Sequence, residues 1–220
     1  MRQINVLGMG LRDYSVRESM RNLNEYMNTV SCNKIAFVSR DLLLSATDIP
    51  EAAEAIKGMD MTVFTSADIL EAANIISRGR EREINSGLFV KGMLRKFAKE
   101  KRKLFLIADD EDSLSQLKEE LLSANEALKI VGAIFAEQEG MSEEKLINEI
   151  NSVIPDAVML KQKGVAAEVF INRSFKKVNS KLMISLGTVG LKDTENHQSL
   201  KDIIIGKLFR RQANKFEQQI

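Results

Sequence analysis

The sequence predicts an α/β fold, in which one mostly parallel sheet is covered by helices on both faces. Short apolar runs alternate with longer segments of helical periodicity along almost the whole chain. This alternation is typical of successive βαβ units. The short runs are continuously apolar, as expected for strands that are covered on both faces. The sequence therefore indicates a single domain with a Rossmann-like sheet.

Seven runs are predicted as strands, because each is short, apolar or β-branched, and bounded by polar residues. In chain order they span residues 4–9, 34–39, 60–65, 103–108, 128–135, 156–160 and 181–186.

Three of the intervening helices have recognisable start signals. Ser15 and Glu18 have the spacing of a capping box. Ser113 is predicted to begin the helix that follows the fourth run. Ser142 is predicted to begin a later helix, whose first turn carries glutamates that favour the positive helix start.

The C-terminal segment is predicted as a basic amphipathic helix. We assign residues 1–194 to the α/β domain and residues 195–220 to this tail. Its lysines and arginines lie apart from an apolar face formed by Ile204, Ile205, Leu208, Phe209 and Phe216. Such a helix can cover the sheet, join two subunits or lie on an anionic membrane surface, and these alternatives stay open.

Composition excludes some classes of function. A formal net charge of +1 gives no argument for nucleic acid, so no nucleic-acid partner is predicted. The single cysteine, Cys32, cannot form an intrachain disulfide and fits a reducing cytoplasm. No apolar run reaches membrane-spanning length and no signal-peptide pattern is present. We expect a cytoplasmic protein, either dissolved or peripheral to the inner face of the membrane.

An acidic run, residues 109–112, directly follows the fourth predicted strand. Asp110 and Asp112 form an Asp-x-Asp pattern that could hold a divalent ion bridging a nucleotide diphosphate. Acidic residues are also favoured at a helix start, and we prefer this interpretation. We therefore predict no metal and no cofactor. The only histidine, His197, lies in a polar stretch and is interpreted as a solvated loop residue.

Several stretches together carry a family resemblance. They are INVLGMGLRDYSVRESM, PEAAEAIKGMDMTVFTSADI and LKIVGAIFAEQEGMSEEKLINEINSVIPDAVML. Asp156, Glu168 and Ile171 also align without gaps to the pattern Asp-x-x-x-Val-Gly-x-Gly-x-Pro-x-Gln-Glu-x-x-Ile. Over about residues 1 to 190 the chain resembles the WecG/TagA/CpsF family of glycosyltransferases.

The resemblance implies an activity and a cellular role. Members of this family transfer a sugar, typically N-acetylmannosamine, from a UDP donor to a membrane lipid that carries N-acetylglucosamine on a diphosphate. This implies a place in the synthesis of cell-envelope polysaccharides such as teichoic acid. The implied partners are a UDP-sugar and a lipid-linked acceptor at the membrane surface.

The chain departs from the family where the chemistry is expected. Thr65 stands at the position of the proposed catalytic aspartate, and a threonine cannot accept a proton near neutral pH as a carboxylate can. Ser39 replaces an asparagine, and Ala108-Asp109 replaces a pair of glycines. Lys161 and Lys163 replace the two glycines of the loop after the strand at residues 156–160.

Three hypotheses follow. In the first, the chain is an active glycosyltransferase that uses Asp41 or Asp68 as its carboxylate. In the second, it is a catalytically silent relative, a pseudoenzyme that binds a nucleotide sugar or acts as a scaffold for an active paralogue or in a homo-oligomer. In the third, it is an unrelated α/β binding module. Under the family hypotheses, the substrate-binding candidates are Ser39, Thr65, Lys161, Lys163, Glu168 and Gly187.

Overall fold

The computed structural model describes residues 1–187, 189, 191, 206, 208, 209 and 211–213. In this part of the chain the strands are β1 (Arg2–Val6), β2 (Met9–Asp13), β3 (Asn33–Val38), β4 (Met61–Phe64), β5 (Lys103–Ala108), β6 (Lys129–Phe135), β7 (Ala157–Lys161) and β8 (Leu182–Ser185). The helices are α1 (Val16–Tyr26), α2 (Arg40–Thr47), α3 (Pro50–Lys57), α4 (Asp68–Ala72), α5 (Arg78–Asn85), α6 (Leu88–Lys99), α7 (Glu111–Ala124), α8 (Glu143–Val153) and α9 (Ala166–Ser174).

Six of these strands form a parallel sheet in the order β4-β3-β8-β7-β5-β6. Two apolar clusters cover its faces. Helices α2, α3, α8 and α9 contribute to the cluster on one face, called here the α9 face. Helices α1, α6 and α7 contribute to the cluster on the other, called the α7 face. The predicted α/β fold with a mostly parallel, helix-covered sheet is confirmed.

The first predicted strand is wrong in its extent and its partners. Residues 4–9 do not form one strand of the main sheet, because β1 and β2 pair with each other as an antiparallel hairpin. The chain reverses at Leu7 and Gly8, which have φ values of 53° and 74°. Two consecutive positive φ angles are typical of the tight turns that join hairpin strands. The hairpin lies beside β4, where the Thr62 hydroxyl donates to the Arg12 carbonyl at 2.7 Å.

The helix starts agree with two of the three predictions. Ser15 forms the capping box with Glu18, and Ser142 caps α8. The start predicted at Ser113 is wrong, because α7 begins at Glu111 and its N-cap is Asp110. The extended backbone of Asp110 lets its carboxylate accept from the Ser113 N–H, so the serine lies inside the first turn.

The strand order creates a crevice between β5 and β7. The chain leaves β5 towards α7 on one face of the sheet, and it leaves the neighbouring β7 towards α9 on the other. Loops that diverge in this way at the carboxyl ends of parallel strands leave a space in which ligands bind. The β5–β7 crevice is therefore one place to look for a site.

Part of the predicted tail packs on the domain. Phe209 and Ala213 are buried in the cluster on the α9 face. Leu208 was predicted to lie on the same apolar face, but it is 49% exposed. The other predicted apolar-face residues, His197 and the boundary at 194/195 lie outside the described residues. None of the described helices is both long and apolar enough to cross a bilayer.

Candidate functional site

The loop after β7 is held by the chain's own carboxylate. The backbone N–H of Lys163 donates to Oδ2 of Asp109 at 2.8 Å. Asp109 directly follows β5 and is 7% exposed. Backbone N–H groups that precede a helix start are the usual binding groups for phosphate anions. The N–H of Lys163 already donates to an anion, the Asp109 carboxylate.

The two lysines of the loop have different surroundings. The Lys161 ammonium lies 2.6 Å from Oε2 of Glu120, a residue of α7 that is 8% exposed. The Lys163 ammonium lies 3.4 Å from Oδ2 of Asp110, and its side chain is 78% exposed. Such a solvent-exposed pair contributes little, whereas the sheltered Lys161–Glu120 pair fixes Lys161 in place.

The acidic run serves the start of α7. Oδ1 of Asp110 accepts from the Ser113 N–H at 2.7 Å. Hydrogen bonds from Ser113, helped by Lys163, lower the pKa of Asp110. Asp112 lies exposed in the first turn. The preferred helix-start interpretation is thus confirmed for Asp110. Over the described residues, no three His, Cys, Asp or Glu side chains come together as a metal ion would require.

Ser39 and Thr65 meet at the carboxyl ends of β3 and β4. The Ser39 hydroxyl accepts from the Leu42 N–H at 3.2 Å and so caps α2. Both the backbone N–H and the hydroxyl of Thr65 donate to the Val38 carbonyl, at 2.9 Å and 3.2 Å. The Ser39 hydroxyl therefore caps α2, and the Thr65 hydroxyl helps to hold the ends of β3 and β4 together.

One arginine holds both candidate carboxylates. Nη1 of Arg40 lies 2.8 Å from Oδ2 of Asp68, and Nε of Arg40 lies 3.4 Å from Oδ1 of Asp41. The Arg40 side chain is 15% exposed, and that of Asp68 is 21% exposed. The guanidinium of Arg40 therefore lies between the two candidate carboxylates.

The C-terminal helical residues lie against this ion pair. A Cβ built on Gly206 would lie 3.2 Å from Nη1 of Arg40 and 3.5 Å from Oδ2 of Asp68. The side chain of Phe209, one turn further on, is fully buried. This segment therefore covers the carboxyl ends of β3 and β4.

A close backbone approach and a buried carboxyl group lie next to the central strand β8. Gly187 has a φ of 51°, and a Cβ there would lie 2.9 Å from the Phe37 carbonyl oxygen. Glu168 of α9 is 1% exposed and accepts from the Ser185 hydroxyl. Burial raises the pKa of Glu168, and the Ser185 hydrogen bond opposes this rise. Glu168 faces the sheet in this arrangement.

The family model described as "Glycosyl transferase WecG/TagA/CpsF family" matches residues 4–189. The chain belongs to this family. Among individually curated proteins, none matches the chain. Membership agrees with the resemblance seen over about residues 1 to 190, and the hypothesis of an unrelated α/β module is wrong.

The candidate site residues of this WecG/TagA/CpsF member fall into two groups. Ser39, Thr65 and Gly187 lie at the ends of β3, β4 and β8, whereas Lys161 and Lys163 lie with Asp109 at the β5–β7 crevice. The ends of β3 and β5 are three strand spacings apart, about 14 Å. The two groups adjoin in the middle of the sheet, because β8, which precedes Gly187, is the neighbour of β7, which ends at Lys161. The role of these residues in substrate binding stays a prediction.

Two residues that contact the candidate site residues were not predicted from the sequence. Glu120 had a signal, since it stands beside Leu117 and Leu121 on the apolar stripe of α7, where a carboxylate needs a partner. Ser185 gave none, because a serine in an apolar strand is common and its contact with Glu168 depends on how α9 packs.

Cys32 is confirmed as a packed residue, lying partly buried against the α9-face cluster. Burial, with a smaller contribution from Asp60, raises the pKa of its thiol to about 12. The reactive thiolate is therefore disfavoured near neutral pH.

Proposed function

We propose that this chain is a catalytically silent WecG/TagA/CpsF family member. It keeps the fold of a UDP-N-acetylmannosamine transferase but no longer transfers the sugar. It acts instead as a scaffold or regulator in cell-envelope polysaccharide synthesis, of which teichoic acid synthesis is one form. We place it in the cytoplasm, at the inner face of the membrane where a lipid-linked acceptor would lie.

The observation that carries this proposal is the chemistry at the end of β4. Thr65 stands where the resemblance places a catalytic aspartate, and its hydroxyl donates to the Val38 carbonyl. A hydroxyl cannot serve as the general base of a sugar transfer near neutral pH. The two nearby carboxylates, Asp41 and Asp68, are both held by Arg40.

The charges at the β5–β7 crevice also support the proposal. Asp109 occupies the N–H of Lys163, and Glu120 pairs with Lys161. With Asp110, three carboxylates face two ammonium groups. A diphosphate would therefore have to displace Asp109 and meet net negative charge at close range.

A transfer assay tests the loss of activity. The purified chain is mixed with UDP-N-acetylmannosamine and an acceptor lipid that carries N-acetylglucosamine on a diphosphate, and UDP release is measured. We expect no release above the enzyme-free rate. Turnover at about 1 s⁻¹ or faster, within the ordinary range of enzymes, would contradict the proposal. An intact family member that has the aspartate at the position of Thr65 serves as the positive control.

The second candidate is an active transferase that uses Asp68. One observation favours it: Asp68 lies three residues after Thr65, and the adjacent Arg40 guanidinium suits a diphosphate oxygen. If release does occur, Asp68→Asn should abolish it, and Asp41→Asn serves as the matched comparison. Release that survives both substitutions together would exclude these carboxylates.

A further inference from the structure

Strand β6 forms an edge of the main sheet. It is hydrogen-bonded to β5 on one side, and no strand in the described part of the chain pairs with its other side. Alternate backbone N–H and C=O groups of such a strand point outwards and can pair with another strand. The register with β5 shifts at the start of β6, and it is regular from Gly132 to Phe135.

This edge is apolar and incompletely covered. Ile130, Val131, Ile134 and Phe135 are all only partly buried, and Ala133 is exposed. The interior strands of the sheet, β3, β5, β7 and β8, are almost wholly buried. An apolar edge strand that is only partly covered is a site for pairing with a further chain.

A groove runs beside the edge on the α7 face. Its volume is about 260 Å³, and it lies between α7 and the carboxyl half of β6. Its lining consists of Glu111, Leu114, Ser115 and Lys118 of α7 together with Ala133, Ile134, Phe135 and Gln138. Side chains of a strand added next to β6 would enter this groove.

The charges along the edge are arranged with opposite signs at its two ends. Exposed Glu137 and Glu139 follow the carboxyl end of β6, and exposed Glu111, at the start of α7, lines the same groove as Gln138. Exposed Lys129 begins β6, and exposed Lys118 lies about two turns along α7 from Glu111. If β6 of a second copy of the chain runs antiparallel to this β6, the lysines of each copy lie opposite the glutamates of the other. A twofold axis relates the two sets of contacts.

We propose that β6 pairs antiparallel with β6 of a second copy of this chain. The two main sheets then continue into one, and the α7 helices of both copies flank the seam on the same face. Lys129 of each copy lies towards Glu137 of the other. The twofold axis makes every such contact occur twice, which suits a symmetric dimer. The proposal goes beyond the proposed function, because the edge lies at the opposite end of the sheet from β3 and β4 and does not involve catalysis.

Charge reversal with sedimentation velocity tests the proposal on the full chain. We expect the wild-type chain to form a dimer whose dissociation constant rises about tenfold or more in Lys129→Glu and in Glu137→Lys. The double variant restores the opposite charges in exchanged positions and should recover the wild-type dissociation constant. Lys99→Glu and Glu25→Lys, at exposed positions of α6 and α1, are the matched controls and should leave the dissociation constant unchanged. Circular dichroism and thermal unfolding confirm that each variant is folded.

Three results would overturn the proposal. The wild-type chain could be a monomer at every concentration. The proposal would then be wrong whether β6 pairs with another protein or stays exposed to solvent. A dimer could persist unchanged in both single variants, which would place its interface elsewhere. The double variant could dimerise as weakly as the single ones, which would show that these residues do not face each other.

Discussion

The backbone N–H of Lys163 donates to Oδ2 of Asp109 at 2.8 Å, across the crevice between β7 and β5. The resemblance places glycines at both positions. One substitution removed a glycine from the loop, and the other supplied the carboxylate that now binds the loop. The backbone N–H would be present with glycine at 163 as well, so it is the Asp109 carboxylate that replaces a place for a ligand anion by an internal contact.

Removing the Asp109 carboxylate should destabilise the protein. In Asp109→Ala the N–H of Lys163 loses a charged acceptor that is itself nearly buried, and such a hydrogen bond contributes about 1.5–3 kcal/mol to the free energy of unfolding. Asp109→Asn keeps an oxygen acceptor and should lose less. Urea unfolding measures both. Equal stability of all three proteins would show that the contact does not contribute.

Glu168 should make stability depend on pH in the direction opposite to most carboxyl groups. Because burial raises its folded-state pKa above the ordinary value of 4.5, the folded protein holds a proton at pH values between the two pKa values, where the unfolded chain has released it. This contribution is fully present below the unfolded-state pKa, and it is lost as the pH rises through the folded-state pKa. Glu168→Gln keeps an acceptor for Ser185 but does not titrate.

We therefore expect Glu168→Gln to be more stable than wild type near pH 7, with the difference narrowing as the pH falls towards 4.5. Urea unfolding at a series of pH values is the measurement. Ser185→Ala is the companion variant, since it removes the hydrogen bond that opposes the pKa rise. Parallel stability curves for wild type and Glu168→Gln would contradict the expected sign.

Gly187 and Gly164 form a matched pair for testing the close approach at β8. Both have positive φ angles, 51° and 64°, so alanine at either costs about 1–2 kcal/mol through the left-handed backbone. Only Gly187 also lies against backbone, with 2.9 Å from an added Cβ to the Phe37 carbonyl oxygen. Thermal or urea unfolding should show Gly187→Ala to be clearly less stable than Gly164→Ala. The reverse order would be inconsistent with this packing.

The Lys161–Glu120 pair should show coupling in a double-mutant cycle. Lys161→Met leaves the nearly buried Glu120 carboxylate without its cation and should cost about 1–3 kcal/mol of the free energy of unfolding. Adding Glu120→Gln removes the stranded charge and should recover part of the loss. Additive effects of the two substitutions would mean that the pair does not interact.

The sequence predicted the parallel sheet because its strands are continuous apolar runs separated by helices of recognisable period. It failed at residues 4–9, since a turn at Leu7 and Gly8 inside an apolar stretch looks like one unbroken strand. The pairs at the crevice could not be predicted, because they depend on strand order. Lys161 and Glu120 are 41 residues apart, and they meet only because β7 lies next to β5.

The most direct test of the central claim is calorimetric titration of the wild-type chain with UDP-N-acetylmannosamine, with and without manganese. If Asp109 and its neighbours have replaced the donor's diphosphate, no binding heat is expected in either condition, and Asp109→Gly should bind more tightly than wild type. Wild-type binding with a micromolar dissociation constant, about −8 kcal/mol, would contradict the claim and show that the donor site has persisted.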